Sequence, residues 1–256
     1  NTTINKIEVL GGEATSLFTS VGTISTDGVI ASADYHHVEK EMLDEKFRNY
    51  TSKYWEKKTF APSSLIYYLG VNKKIKKLLH HNLFFDADFD KHSAEIYKDP
   101  KWPKDPLFYV CCPSKTDESV APIGMENLFI LIPVATGLED SEEIREHYFK
   151  SIINRIEKFC GDCFSENIVY KKTYCINDFV SDYNAYKGNA YGLANTLSQT
   201  AVLKPTLRNK KVKNLFYTGQ LTVPGPGVPP ALISGQLASN ELVKYLKTQR
   251  HETAIR

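Results

Sequence analysis

Between Asn214 and Asn240 the chain reads NLFYTGQLTVPGPGVPPALISGQLASN. The residue types there suit the binding of a negatively polarised ligand. Leu215-Phe216-Tyr217 is an apolar run that predicts a short buried strand, and it ends at Gly219. Pro224, Gly225, Pro226, Gly227, Pro229 and Pro230 then stiffen a loop. A helix is expected from Val228-Pro229 onward, because proline costs nothing where the first N–H groups of a helix have no partner. A strand, a Gly/Pro loop and a helix N-terminus together aim free N–H groups and a positive dipole end at one point. Ala231, Ser234, Gly235 and Ala238 form a stripe of small residues at helical spacing. Such a stripe admits close approach of a sheet or of a flat cofactor, and an ordinary connecting loop would look much the same.

Other constellations are less informative. There is no GxSxG, and no spacing supports a Cys–His pair for nucleophilic catalysis. Cys160-Gly161-Asp162-Cys163 is a CxxC, but it falls at the end of a helical run. A redox pair instead opens a helix, where the dipole lowers the thiol pKa. No second CxxC is present to complete a zinc site. His36-His37 and His80-His81 are neighbours in sequence. Neighbours on a strand point to opposite faces, so a shared metal is not expected from them. Cys111-Cys112 lies in an apolar run and is read as buried thiol.

The stretch GQLTVPGPGVPPALISG closely resembles the C-terminal flavin-binding signature of the bacterial carotenoid (phytoene-type) desaturase family, within the wider amine-oxidase-like flavoproteins. GNAYGLANTLSQTA, from Gly188 to Ala201, is similar to a second element of that family. IASADYHH, PSSLIYYLGVN and DPLFYVCCPSKTD extend the resemblance over essentially the whole chain. It implies an α/β (α+β) fold: the C-terminal part of a two-lobed, Rossmann-like FAD/NAD(P)-binding flavoprotein with an antiparallel-sheet substrate lobe. Residues 1–46 would belong to the FAD-binding domain and 47–178 to the substrate lobe. Residues 179–256 would supply a flavin-facing loop and the C-terminal strand–loop–helix. FAD is the implied cofactor, held by Gly219, Gln220, Gly225, Gly227, Val228 and Pro229. Many relatives in the superfamily have an acidic residue where this chain has Gln220, whose amide can hydrogen-bond a ribityl hydroxyl. Asn189, Tyr191 and Gly192 would help wall the substrate cavity. No catalytic residue is assigned; Asp34 is polar and near a strand end, and nothing further marks it as a base.

The bounds set by composition agree. The chain has 256 residues, 42% hydrophobic and 24% charged, which suits a globular protein of one large or two modest domains. A net charge of +2 gives no argument for nucleic acid. No apolar run approaches the roughly 20 residues of a membrane span. Five cysteines without a visible secretory leader favour a reduced cytoplasmic setting. The chain begins without Met and has no early GxGxxG, the motif that seats a dinucleotide pyrophosphate. It is therefore expected to be the C-terminal portion of a longer flavoprotein.

Periodicity supplies the elements. Ile4–Leu10 and Ala14–Phe18 flank Gly11-Gly12 and predict a hairpin; Val29–Asp34 predicts a return strand and Val38–Phe47 a short helix. Ser64–Leu69, Leu83–Phe85, Leu107–Cys112 and Leu128–Val134 predict an antiparallel sheet. Asp140-Ser141 offers an N-cap to a helix with Ile144, Tyr148, Ile152 and Ile156 on one face. That helix would cover one face of the sheet and leave the other for a large apolar ligand.

The implied activity is desaturation of an acyclic carotenoid that enters an apolar tunnel between the lobes. A hydroxycarotenoid 3,4-desaturase is favoured slightly over a phytoene desaturase, because 15 tyrosines and the Asn189–Asn195 loop suit a terminal hydroxyl. Quinone or oxygen would reoxidise the flavin. Lys73, Lys74, Lys76 and Lys77 beside Leu78-Leu79 suit contact with an anionic lipid surface, which fits a peripherally membrane-associated enzyme. A carotenoid cis–trans isomerase using reduced flavin is the alternative. A non-catalytic lipid-binding fragment comes next, and an amine oxidase ranks lower.

Overall fold

The computed structural model describes residues 2–255. In chain order the strands are β1 (Ile4–Leu10), β2 (Glu13–Thr19), β3 (Gly22–Ser25), β4 (Val29–Ala31), β5 (Ser63–Val71), β6 (His81–Phe84), β7 (Phe108–Cys111), β8 (Glu126–Val134), β9 (Ile168–Tyr174) and β10 (Leu215–Tyr217). The α-helices are α1 (Tyr35–His37), α2 (Ser52–Glu56), α3 (Phe89–Tyr97), α4 (Glu142–Cys160), α5 (Ile176–Tyr183) and α6 (Val228–Ile255). They fall into two compact units. One comprises residues 1–61, 183–186 and 191–256; the other comprises 62–182 and 187–190. The first unit thus runs on to Ala61, past the boundary expected at 46. Trp55 and Phe60 are buried in its core beside Tyr35, Leu193 and Tyr217, which explains the extension.

In the first unit the expected hairpin forms, and β3 joins it as a third antiparallel strand. β10 pairs in parallel with β4, Phe216 opposite Ile30. One side chain joins these pieces. Asn214 Oδ1 accepts the Ala14 N–H at 2.7 Å, and its Nδ2 donates to the carbonyls of Ala14 and Asp27 at 2.8 and 2.9 Å. The helix expected over Val38–Phe47 starts earlier and breaks sooner. Asp34 caps α1 by accepting the His37 N–H, α1 continues as a π-turn through Met42, and Glu45–Phe47 is a separate 3₁₀ turn.

The second unit is a five-stranded antiparallel sheet in the order β6-β7-β8-β5-β9. β9, unexpected from its sequence IVYKKTY, forms one edge and pairs Tyr67 with Thr173. Ser141 caps α4 through its hydroxyl, and Gly161 ends it in the left-handed conformation. Tyr148, Ile152, Ile153 and Ile156 of α4 pack on Leu65, Tyr67, Ile130 and Ile132. Each such side chain taken from water contributes about 1.5–3 kcal/mol. The opposite sheet face, carrying Tyr68, Tyr109, Phe129 and Leu131, alternates with this buried one.

Glu39 is a buried carboxylate in the first unit. It accepts the N–H groups of Asn49 and Tyr50 at 2.6 and 3.1 Å and the Tyr217 hydroxyl at 3.2 Å. Burial nonetheless dominates and pushes its pKa from 4.5 up to about 7. A folded pKa above the unfolded one means that this group's contribution is complete below about pH 4.5 and is lost as pH rises through 7. Between pH 5 and pH 8 the protein should lose about 2–3 kcal/mol of stability from Glu39 alone. Urea midpoints of wild type and Glu39→Gln across that range test this. The variant should show a flatter profile, and identical slopes would refute the assignment.

Candidate functional site

The strand–loop–helix expected around Gly219 is present. β10 ends at Tyr217, residues 218–227 form the loop, and α6 starts at Val228. The stripe of small residues on α6 meets the end of that strand. Ser234 and Ala238 are fully buried. The Ser234 hydroxyl accepts the Gly219 N–H at 2.8 Å, lies 2.7 Å from the Thr218 hydroxyl and donates to the Ala231 carbonyl at 2.6 Å. Of the two partners left open by the sequence, a sheet or a flat cofactor, the stripe takes the sheet.

With α6 fixed there, the loop presents its backbone. Gly219, Gly225 and Gly227 all have positive φ. Gly225 is buried, Gln220 and Gly227 are half-buried, and Val228 and Pro229 are exposed at the open end of α6. At Gly225 an added Cβ would lie 3.0 Å from Cε of Lys204, 3.4 Å from its Nζ and 3.6 Å from Asn195 Oδ1. Lys204 is 3% exposed, and its ammonium has no hydrogen-bond partner among the described residues. Burial, and after it the charge of Lys58, lowers its pKa from the ordinary lysine value. A cation buried without a counter-charge beside a glycine loop and a helix N-terminus fits an anionic group of a flavin. Gly219 to Pro229, with Lys204, are the residues that would hold it.

A second loop lies against the first. Tyr191 and Gly192 are in the same unit as Gln220, whereas Asn189 is buried in the other unit. Leu193 forms a bridge with Phe60, and Ala61 donates its N–H to the Gly192 carbonyl at 2.8 Å. Gln199 completes the clamp. Its Oε1 accepts the Thr59 N–H, and its Nε2 donates to the carbonyls of Thr59 and Ala194. Sequence reasoning gave neither Gln199 nor Lys204 a role. Gln199 sits in a polar stretch and Lys204 beside a proline in a short loop segment, both of which read as surface, and only their burial sets them apart. Asp34 is used structurally: one carboxylate oxygen caps α1 and the other accepts the Tyr186 N–H at 3.1 Å.

In the second unit, the sheet face away from α4 carries an apolar cavity of about 270 Å³ beneath α3. Leu83, Phe85 and Phe89 at its wall are each at least 60% exposed, and Tyr97, Tyr109 and Leu131 complete the lining. Exposed apolar surface of this kind marks a site for a ligand or a partner. Further along the same sheet, His81 stands opposite Cys111, and the rings of His80 and His81 are 4.2 Å apart. Strand alternation does not separate the pair because His80 precedes β6. The donor atoms of His80, His81 and Cys111 lie within 4.8 Å of one another, a looser spacing than the about 3.5 Å between ligands of a tetrahedral zinc. Both Nδ1 atoms are engaged, by Thr116 and Tyr109 hydroxyls at 2.6 and 2.5 Å. Cys112 is buried as expected, Cys111 is half-buried, and Cys160 ends α4 with Cys163 exposed beyond it.

Gly192 gives a direct test of how the two loops meet. Its φ is +80°, and a Cβ there would lie 2.5 Å from the Gln220 carbonyl oxygen. Gly124 has the same φ with nothing within 4 Å. Both Gly→Ala variants pay the backbone strain, but Gly192→Ala alone must also displace Gln220. Gly192→Ala should cost about 2 kcal/mol more than Gly124→Ala in urea denaturation. Equal costs would mean that the loops do not meet as described.

The comparisons with known proteins accord with this geometry. The model of the flavin containing amine oxidoreductase family matches residues 1–243. A carotenoid 3,4-desaturase of Haloarcula japonica is 45% identical over 222 residues, covering 87% of this chain and 45% of that protein. A zeta-carotene-forming phytoene desaturase of Myxococcus xanthus is 30% identical over 232 residues, covering 88% of this chain and 44% of that one. The chain spans about half the length of the curated relatives it matches. Among solved structures, an oxidoreductase from Methanosarcina mazei aligns with a TM-score of 0.56 at 12% identity, over 93% of this chain and 49% of that one. That likeness shows a shared fold. With a family match that runs almost from end to end, the chain belongs to the flavin containing amine oxidoreductases.

Proposed function

We propose that this chain is the substrate-facing portion of an FAD-dependent carotenoid desaturase. The observation that carries the reading is the 45% identity to a carotenoid 3,4-desaturase across 87% of the chain. The geometry supports it through the uncovered aromatic face of the five-stranded sheet, which suits a long apolar ligand and would be unusual in an enzyme for small polar amines. A hydroxylated acyclic carotenoid is the favoured substrate. In this reading FAD, when bound, supplies the acceptor for the hydride equivalent removed from the substrate.

The chain's own residues bind, orient and exclude water. Gln220, Gly225 and Gly227 would offer backbone and amide donors to the flavin, Gly219, whose own N–H is taken by Ser234, would let the chain turn beside it, and Val228 and Pro229 open a helix whose dipole favours negative charge there. Tyr191 and Gly192, held by the Gln199 clamp, wall the site on the first unit. Leu83, Phe85, Tyr109 and Leu131 receive apolar chain. Quinone or oxygen serves as the final electron acceptor.

Among the described residues, no helix is long and apolar enough to cross a membrane. Access to a bilayer-dissolved substrate rests instead on surface contact. Lys73 is committed to Asp162 at 2.7 Å and Lys77 to the Phe159 carbonyl at 3.3 Å. That leaves exposed Lys74 and Lys76 beside Leu79, itself 69% exposed, to meet anionic headgroups. Equal sedimentation with anionic and neutral vesicles would remove this part of the proposal.

The direct test supplies the intact protein with FAD and with liposomes that carry phytoene and a hydroxylated acyclic carotene together. Chromatography with mass detection should show loss of two hydrogens from the hydroxylated substrate first. Loss from phytoene alone would keep the desaturase and change its substrate. Unchanged masses with shifted retention would replace desaturation by isomerisation.

A further inference from the structure

Lys204 is the one strongly buried lysine whose ammonium is unpartnered among the described residues. Two other partly buried cations are paired with carboxylates. Lys115 meets Glu126 at 2.6 Å, and Arg145 meets Asp140 and Asp178 at 2.6 and 2.8 Å. Holding a charge out of water without a partner costs several kcal/mol, so a folded protein retains it only where something else repays the cost. Among the described residues no carboxylate is paired with Lys204. Its side chain lies against Gly225, on the loop that leads into α6.

The position is constrained from several sides. The Pro205 carbonyl, next in the chain, accepts the Thr222 hydroxyl at 2.7 Å, which ties the Lys204 backbone to the 218–227 loop. The 3₁₀ turn at Ala201–Leu203 closes with the Lys204 N–H on the Ala201 carbonyl. Gly225 leaves space where a side chain would press on Lys204 Cε. The Lys204 backbone is therefore fixed beside the loop, with its buried side chain against Gly225.

We infer that Lys204 is a flavin-binding residue whose ammonium neutralises an anionic oxygen of the cofactor beside Gly225. This deepens the functional reading above and rests on it. The anionic oxygen has two sources on one molecule: the pyrimidine edge of the ring, which gains negative charge on reduction, and the diphosphate. In either case Lys204 is a cation stored for a ligand, destabilising before the ligand arrives and stabilising afterward.

That double role sets the test. Lys204→Met, of similar length and uncharged, and Lys204→Gln are compared with wild type in the intact protein. Stripped of flavin, both variants should melt at higher temperature than wild type, because the orphaned charge is gone. Titrated with FAD, both should bind at least tenfold more weakly. If the ring edge is the partner, the bound flavin's reduction potential should fall by about 30 mV for each tenfold loss of preference for the reduced form. If the diphosphate is the partner, oxidised and reduced flavin should weaken equally with the potential unchanged. Variants that melt lower than wild type without flavin, or that bind FAD as tightly as wild type, would overturn the assignment of Lys204 alone. A wild-type protein that binds no FAD would overturn the functional reading with it.

Discussion

The junction of β10 with α6 rests on one hydroxyl. Ser234 binds the Gly219 N–H, the Thr218 hydroxyl and the Ala231 carbonyl within 2.8 Å. This contact requires a small residue at 234 and small neighbours at 231, 235 and 238, because the helix must come within reach of the strand end. Once the helix is docked, residues 218–227 have little freedom. They must cross from strand to helix while exposing backbone N–H groups, and positive-φ glycines at 219, 225 and 227 permit it. The open N-terminus of α6 is thereby aimed at the same place as the loop. Asn214, at the other end of β10, performs the matching task by tying the strand to the first hairpin and to Asp27.

Near the 218–227 loop, polar side chains that hold the backbone are satisfied, and one ammonium is without a hydrogen-bond partner among the described residues. Glu39 and Gln199 use their oxygens and amide hydrogens on named backbone partners, and both hold loops in place. Lys204 does not. A buried polar atom without a partner in an otherwise well-satisfied neighbourhood is a sign that a ligand belongs there. The second unit has an apolar counterpart. One sheet face is buried under α4, and the other keeps aromatic and aliphatic side chains in contact with water around a cavity.

Much of this was legible in the residues. β5, β8 and α4 announce themselves through long apolar runs or a clear four-residue period, and β10 through its apolar triplet before Gly219. β9 was not legible: its IVYKKTY pattern is half polar because it lies at a sheet edge, and only pairing with β5 makes it a strand. α3, FDKHSAEIY, is short and weakly apolar, with only His92 and Glu95 buried. Trp55 and Phe60 would suit either core on sequence alone, and only their burial beside Tyr35 and Tyr217 assigns them to the first unit. In the candidate site, the glycines, the prolines and the small stripe were readable as a loop with a close approach. Gln199 and Lys204 were not, since a buried amide or ammonium looks identical in sequence to an exposed one. The relative placement of His80 and His81 was not legible, because β6 begins at His81 and leaves His80 outside the strand alternation.

In the proposed reaction, electrons would leave a carotenoid for a flavin seated on the 219–229 loop. The most direct measurement is an anaerobic single turnover. The intact protein with oxidised FAD is mixed with a hydroxylated acyclic carotene in liposomes, and the visible absorbance of the flavin is followed. The account predicts bleaching in proportion to a product two hydrogens lighter. Unbleached flavin alongside a product of unchanged mass would contradict it.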